Sequence, residues 1–301
     1  KYILMEDIIF EPNRNNNFMP YRTDDAYILG FFAAITIECN DVIIDLNNYT
    51  IKQSKVYSLV QRFFSLIQLN NTPFIPGTGP ANFGSNFINT RNIKIMNGTL
   101  GLSSHYSVHG NNCKNLLIDN VKCIDFEVGG IAINNGDNVI IRNSKIGPCR
   151  QDVPVKARFS GLKFLIHLIN RSKCLEKDES KNILFNGHNL KTLYKRNIDI
   201  LNKIIINYEK NNTIIDKKYE NTSGLIDGNA VGIQITEKGI AIHEFSNSKN
   251  PKINFSSMSM NIYIENVIIN NIKSDVNKIC MYNLDNSNKP NIIGTSGEIF
   301  C

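Results

Sequence analysis

The chain has 301 residues, of which 42% are hydrophobic and 20% are charged, with 33 Lys and Arg against 27 Asp and Glu. This composition excludes a disordered or collagen-like chain, and no apolar run approaches the roughly 20 residues that a membrane-spanning helix needs. The seven cysteines are scattered without a CxxC pair, which argues against zinc and favours reduced cysteines over a disulfide framework.

The N-terminal part of the chain predicts short strands. Residues 1–10 and 40–51 are strand-like, and so is the apolar run Gln61–Gln68, which a Pro- and Gly-rich surface loop over 70–80 follows. Because the chain opens with Lys1 and a strand rather than with Met and a signal peptide, we expect an N terminus that has been cropped or processed.

The next region contains an internal repeat. Asn92–Asn97, Asn115–Asn120 and Asn138–Asn143 align without a gap and begin at a constant spacing (115 − 92 = 23 and 138 − 115 = 23), and Asn261–Asn266 is a fourth copy. Inside each copy the apolar residues alternate with period two, which is typical of strands and excludes helical repeats. Short strands recurring every ~20–25 residues predict the stacked coils of a parallel β-helix, each coil being one repeat.

The last Asn of each copy has a predicted structural role. Asn97, Asn120, Asn143 and Asn266 end equivalent strands, where Asn tolerates a left-handed backbone. Stacked in register, their amides could hydrogen-bond from coil to coil as an Asn ladder. The alternative is that an Asn-rich composition produces such a column by chance.

One segment carries a family resemblance. Residues 40–51, NDVIIDLNNYTI, resemble the opening coil of pectin-lyase-like right-handed β-helix proteins, in which a V-x-I-D-L-N-G-x-T-I run is common. Asn48 stands where Gly is usual, and Asn still permits a turn. Residues 39–150 and the tail from 255 are similar to β-helix proteins encoded by large DNA viruses of protists. The resemblance implies an all-β fold, a right-handed single-stranded parallel β-helix with a mainly α-helical insertion, and it says little about activity.

The insertion occupies residues 151–220, where the period is lost. Apolar residues at helical spacing predict one amphipathic helix over 160–175 and a second that begins at Asn189 as N-cap. Residues 156–218 hold 14 Lys and Arg against 6 Asp and Glu, so the rest of the chain is slightly acidic. A basic patch could face nucleic acid, an acidic lipid or an acidic protein. We favour a solvated outer face, because the charges are spread out and lack interleaved aromatic residues, and we do not expect nucleic acid as a partner.

After the insertion, residues 221–245 predict a Gly-rich loop followed by a pair of strands that turns at Glu237–Gly239, and coils resume near 253. Residues 283–301 suit an edge strand or tail. The predicted organisation is therefore N-terminal coils over 1–150, a basic helical hairpin over 151–220, and C-terminal strands and coils of the same domain over 221–301.

The sequence offers one weak candidate site for catalysis. The N-T-D, D-D and G-H-G signatures of polygalacturonase-type hydrolases are absent, and so is the acidic set of a calcium-dependent lyase. His105 and His109 lie one coil before Asp125 and Glu127, so these four side chains could share a turn and act as acid and base. The alternative is ordinary polar decoration of a turn. We expect neither a metal site nor a cofactor.

An outward-facing apolar flank predicts that another part of the structure, or another chain, packs against it. Leu117, Ile140 and Tyr263 point outward at the repeat position that Lys94 occupies, and apolar stripes of this kind are normally buried. We expect the helical hairpin to cover this flank, or else a neighbouring subunit.

These observations favour a structural or attachment protein of a virion or other extracellular assembly, with a rod that presents loops to a partner or glycan. We expect partners among other structural proteins, further copies bound through the apolar flank, and glycans, and a location on a virion or extracellular surface after assembly in a reducing cytoplasm. The alternative is a polysaccharide hydrolase or lyase that uses the groove of the β-helix.

Overall fold

A computed structural model of the chain describes residues 1–12, 32–61, 64–69, 90–150, 184–185, 188–211, 230–236, 259–272, 281–284, 290–293 and 299–300. The helix predicted over 160–175 and the strand predicted after Gly239 lie outside these residues.

The N-terminal half is a succession of short strands with one short helix. In chain order its elements are β1 (Tyr2–Ile3), β2 (Ile8–Phe10), β3 (Phe32–Thr36), β4 (Ile43–Asp45), β5 (Thr50–Gln53), α1 (Lys55–Val60), β6 (Phe64–Leu69), β7 (Arg91–Leu100), β8 (Tyr106–Asn111), β9 (Lys114–Cys123), β10 (Gly129–Asn134), β11 (Asp137–Arg142) and β12 (Lys145–Ile146).

The C-terminal half contains the long helix and further strands. Its elements are β13 (Leu184–Phe185), β14 (His188–Asn189), α2 (Leu190–Asn211), β15 (Val231–Thr236), β16 (Met260–Glu265), β17 (Ile268–Ile269), β18 (Met281–Leu284), β19 (Pro290–Ile293) and β20 (Ile299–Phe300).

Two parallel sheets contain most of these strands. Sheet A has the order β1-β4-β7-β9-β11-β16, and β2, β5, β12 and β17 extend it beside the ends of β7 and β9. Sheet B has the order β20-β15-β10-β8-β6-β3. Two small antiparallel hairpins, β13-β14 and β18-β19, stand apart from them. The chain is therefore mainly β with parallel sheets, as its sequence predicts.

The register of both sheets follows the repeat seen in the sequence. In sheet A, Ile93 lies beside Leu116 and Leu116 beside Val139. In sheet B, Val108 lies beside Ile131, again one period on (131 − 108 = 23). From β7 to β12, each strand therefore pairs with the equivalent strand of the next repeat.

The core lies between the two sheets and consists of aliphatic columns. Ile95, Ile118 and Ile141 of sheet A are neighbours in register and are fully buried. Cys123 is also fully buried, and burial raises the pKa of its thiol to about 12, so it is a small apolar group rather than a reactive thiolate.

Asparagine makes the bend that divides sheet A into two arms. Asn97, Asn120, Asn143 and Asn266 all have φ between 51° and 60°, the left-handed conformation that turns the chain within a run of strand. The long arm precedes this column, and the short arm contains β2, β5, β12, β17 and the last residues of β7 and β9.

The same asparagines bond from coil to coil, with one difference from the expected ladder. Asn120 Nδ2 donates to Asn97 Oδ1 at 3.1 Å, and Asn266 Nδ2 donates to Asn143 Oδ1 at 2.8 Å. Asn143 Nδ2, however, donates to Asp119 Oδ1 at 2.9 Å instead of to Asn120. A carboxylate is a stronger hydrogen-bond acceptor than an amide oxygen, so Asn143 donates to Asp119 rather than to Asn120.

The register also locates two interruptions of the repeat after β12. Gly129 of β10 lies beside Val231 of β15, an offset of 231 − 129 = 102, which exceeds one period by 102 − 23 = 79. Asp137 of β11 lies beside Met260 of β16, an offset of 260 − 137 = 123, so a further 123 − 102 = 21 positions enter between β15 and β16. The sequence predicts the first interruption but not the second.

Helix α2 begins where the sequence predicts. Asn189 Oδ1 accepts a hydrogen bond from Lys191 N at 2.8 Å, as an N-cap does. The helix contacts α1, the short helix that follows β5. In the apolar flank of sheet A, Leu117 and Ile140 are half-buried and Tyr263 is 57% exposed.

Candidate functional site

The four candidate residues lie in two successive passages of the chain from sheet A to sheet B and in the strand that follows the first passage. His109 lies in β8, His105 lies just before it, and Asp125 and Glu127 lie in the turn between β9 and β10. Ser103 pairs with Phe126 in parallel, which places Glu127 one coil beyond Ser104. The structure therefore reproduces the one-coil offset on which the candidate set depends.

Glu127 points into the protein and faces Arg150. The Glu127 side chain is 2% exposed and that of Arg150 is 3% exposed, and Arg150 Nη1 lies 3.5 Å from Glu127 Oε1. The two residues are one period apart (150 − 127 = 23), and Arg150 N donates to the carbonyl of Phe126, the residue before Glu127, at 2.9 Å. The ion pair is thus a direct product of the stacking.

Other buried polar groups surround this ion pair. Arg150 Nη1 also donates to Ser58 Oγ at 3.3 Å, and Ser58 lies on α1, which is capped by Ser54. Ser104 N donates to Gln53 Oε1 at 2.7 Å, and Ser104 Oγ donates to the carbonyl of Gln61. Gln53, Ser58, Gln61 and Ser104 are each at most 1% exposed, so buried polar contacts join α1 and β5 to the residues before β8, and Ser58 extends them to Arg150.

His109 belongs to a different group of side chains. Its Nδ1 lies 2.9 Å from Gln68 Oε1 and its Nε2 lies 3.4 Å from Asn134 Nδ2. Gln68 Oε1 also accepts from Ser65 Oγ at 3.1 Å, and Asn134 Nδ2 also donates to Asn111 Oδ1 at 2.8 Å. These partners assign the proton to Nδ1 and make Nε2 an acceptor, which describes a neutral imidazole.

The environment keeps this imidazole neutral. Burial lowers the pKa of His109 from 6.5 to about 4, because the charged form loses its hydration. A proton on Nε2 would also point at the donating amide of Asn134. The ring of Tyr106 stacks on His109 with centroids 4.9 Å apart, and its centroid also lies 4.3 Å from that of the His105 ring.

The described contacts therefore place Glu127 and His109 in two different environments. Glu127 is paired with Arg150 in the protein interior, whereas His109 bonds to Gln68 and Asn134 in sheet B. His105 and Asp125 are half-buried, and Asp125 adopts a left-handed backbone with φ of 56° in its turn. In this arrangement Glu127 would have to leave Arg150 before it could exchange a proton with a substrate in solvent.

Sequence reasoning found Glu127 but missed its partner. The signal was present, because Ser104, Glu127 and Arg150 are successive members of one column of the repeat. The same rule recovers two partly exposed ion pairs, Lys114–Asp137 at 3.1 Å and Arg142–Asp119 at 2.8 Å, whose members are also one period apart. Gln53, Ser58 and Gln61 follow no such rule, because they lie outside the uninterrupted repeat.

Known proteins offer no guide to this site. No protein-family model, curated protein or solved structure matches the chain. Within the described ranges, no helix has the length and apolar character needed to cross a membrane. The function proposed below therefore rests on the arrangement of the described residues.

The neutral state of His109 predicts a loss of stability in mild acid. Because its pKa is lower in the folded chain, the unfolded chain binds the proton first as pH falls from about 6.5 to about 4. The contribution of the neutral His109 ring to the free energy of unfolding is therefore fully present above pH 6.5. It is reduced by about 2 kcal/mol at pH 4, allowing for the partial exposure of the ring. Urea unfolding of the wild type and of His109→Gln at neutral pH and near the lower end of this range measures the loss, and an equal loss in both proteins would contradict it.

Proposed function

We propose that this chain is a right-handed, single-stranded parallel β-helix and that it serves as a structural or attachment protein of a virion or another extracellular assembly. The observation that carries this proposal is the offset of one period between parallel neighbours from β7 to β12, which recurs in both sheets. A chain that returns to the same two sheets once per period builds a rod whose length grows with each coil.

Hydrogen bonds and ion pairs between the polar side chains of adjacent strands support a structural role. Asn115 Nδ2 donates to Asn92 Oδ1 at 2.7 Å and Asn138 Nδ2 donates to Asn115 Oδ1 at 3.0 Å, so a second column of amides runs along the stack. Partly exposed ion pairs such as Arg142–Asp119 also join adjacent coils. These groups stabilise the stack itself, which is what a rigid scaffold requires.

The candidate acid and base support the same choice over catalysis. A general acid or base must come within hydrogen-bond reach of the proton that it transfers. Glu127 instead contacts Arg150 at a site that is almost closed to solvent, and His109 has both ring nitrogens occupied by Gln68 and Asn134. Partner structural proteins and glycans remain the proposed binding partners.

The proposal is tested by finding where the chain resides. Quantitative mass spectrometry of purified extracellular particles from the encoding organism, or from a virus that infects it, should detect the chain at a fixed ratio to other structural proteins. Its presence only in the soluble fraction would contradict the proposal.

The alternative function, polysaccharide cleavage, has a direct test. Purified protein is incubated with acidic and neutral polysaccharides, and new reducing ends or unsaturated products are measured. We expect none above the level of a His109→Gln, Asp125→Asn double variant. Products that depend on these two residues would favour the enzyme.

A further inference from the structure

The short arm of sheet A presents a row of residues that differs from the rows of the long arm. Thr50, Thr99, Lys122 and Lys145 are neighbours in register on successive strands. They alternate with fully buried aliphatic and cysteine side chains, so they lie on the outer face. Lys52, two positions after Thr50, is exposed on the same face.

The lysines of this row repel one another. Lys122 and Lys145 are directly opposite on adjacent parallel strands, about 4.8 Å apart at the backbone, and like charges in that arrangement are destabilising. Within the described part of the chain, neither they nor Lys52 form an ion pair. The row therefore concentrates positive charge at a cost in stability.

The long arm shows that the same fold can neutralise such positions. There, Lys114 pairs with Asp137 at 3.1 Å, and Arg142 pairs with Asp119 through both Nε and Nη2, at 3.0 and 2.8 Å. In each case a basic residue meets an acidic residue of the adjacent coil. Acidic and basic side chains thus face each other across adjacent strands of the long arm, whereas two lysines face each other on the short arm.

We propose that the outer face of the short arm binds a sulfate-bearing polysaccharide. This inference rests on the proposed attachment function and names the class of ligand to which the chain attaches. The ammonium groups of Lys52, Lys122 and Lys145 match a polymer that carries repeated negative charges. The hydroxyls of Thr50 and Thr99 continue the row and suit sugar hydroxyls.

The chemistry of the face favours a glycan over a nucleic acid. Among the described residues, the outward positions of these strands hold lysine, threonine and isoleucine but no aromatic side chain and no arginine. Bases of a single strand stack on aromatic rings, and that contact supplies much of the affinity for single-stranded nucleic acid. A lysine and threonine row does not offer it.

The test compares two double variants of the full chain that change net charge equally. Lys122→Gln, Lys145→Gln removes charge from the short arm, and Lys94→Gln, Lys114→Gln removes the same charge from the long arm. Binding of heparin is measured by calorimetry at low and at near-physiological salt, beside chemically desulfated heparin and a DNA duplex. Urea unfolding establishes that both variants fold, and the first should be no less stable than the wild type because it loses a repulsion.

We expect the short-arm variant to bind heparin about tenfold more weakly and the long-arm variant to change less than about twofold. Desulfated heparin should bind weakly to all three proteins. An equal loss in both variants, tighter binding of the duplex than of heparin, or no binding of heparin by the wild type would overturn the inference. If the chain is nevertheless a fixed component of a particle, the proposed function stands and only the ligand is wrong.

Discussion

Replacing Glu127 by Ala should lower the free energy of unfolding by about 3–5 kcal/mol. The substitution leaves the Arg150 guanidinium, whose side chain is 3% exposed, in the protein interior without its counter-ion. Arginine stays protonated under all folding conditions, so the charge cannot be relieved by losing a proton. Urea unfolding monitored by far-ultraviolet circular dichroism measures the change.

Two variants make this result specific. Asp119→Ala breaks the ion pair with Arg142, which also joins residues one period apart but is partly exposed, and it removes the acceptor of Asn143, so it should cost less than about 2 kcal/mol. The double variant Glu127→Leu, Arg150→Met removes both buried charges and should recover most of the stability lost in Glu127→Ala. A cost for Glu127→Ala no larger than that for Asp119→Ala would show that the pair is not buried.

Ile118→Ala should lower the free energy of unfolding by about 2–5 kcal/mol, whereas Leu117→Ala should lower it by less than about 1 kcal/mol. Ile118 is fully buried between Ile95 and Ile141 of the adjacent coils, and its loss leaves a cavity in the middle of a column. Leu117 is half-buried on the outer flank of the same strand.

This pair of variants also tests the register of sheet A. A slip of one residue would exchange the inner and outer faces of every strand, because side chains alternate with period two. Chemical denaturation of both variants would then give the reverse order of stabilities, with Leu117→Ala the more damaging change.

The repeat made much of the fold predictable. Because a parallel ladder joins equivalent residues of successive coils, a constant period in the sequence becomes a constant register in the sheets, and Val108 lies beside Ile131 for that reason. The Asn column was predictable too, because both the left-handed backbone and the coil-to-coil hydrogen bond suit that side chain. Asn143 departs from the expected ladder since Asp119 offers a better acceptor.

The candidate site was only half predictable. The one-coil offset of Glu127 from Ser104 follows from the period, but the direction in which Glu127 points does not. At a corner between two sheets the alternation of faces ends, so an acidic residue there can turn inward or outward. Arg150 and the polar groups of α1 decided that it turns inward.

Within this chain, the sequence determined the parallel class of the sheets, the spacing of the coils and the start of α2 at Asn189. These features depend on periodicity and capping, which are local in the chain or repeat at a fixed distance along it. The tertiary structure alone decided the burial of Glu127, the neutral state of His109 between Gln68 and Asn134, and the second interruption before β16. The period does not place Ser58, which bonds to Arg150, or Gln68, which bonds to His109, because both lie outside the uninterrupted repeat. The second interruption is an insertion, and a period cannot predict where it is broken.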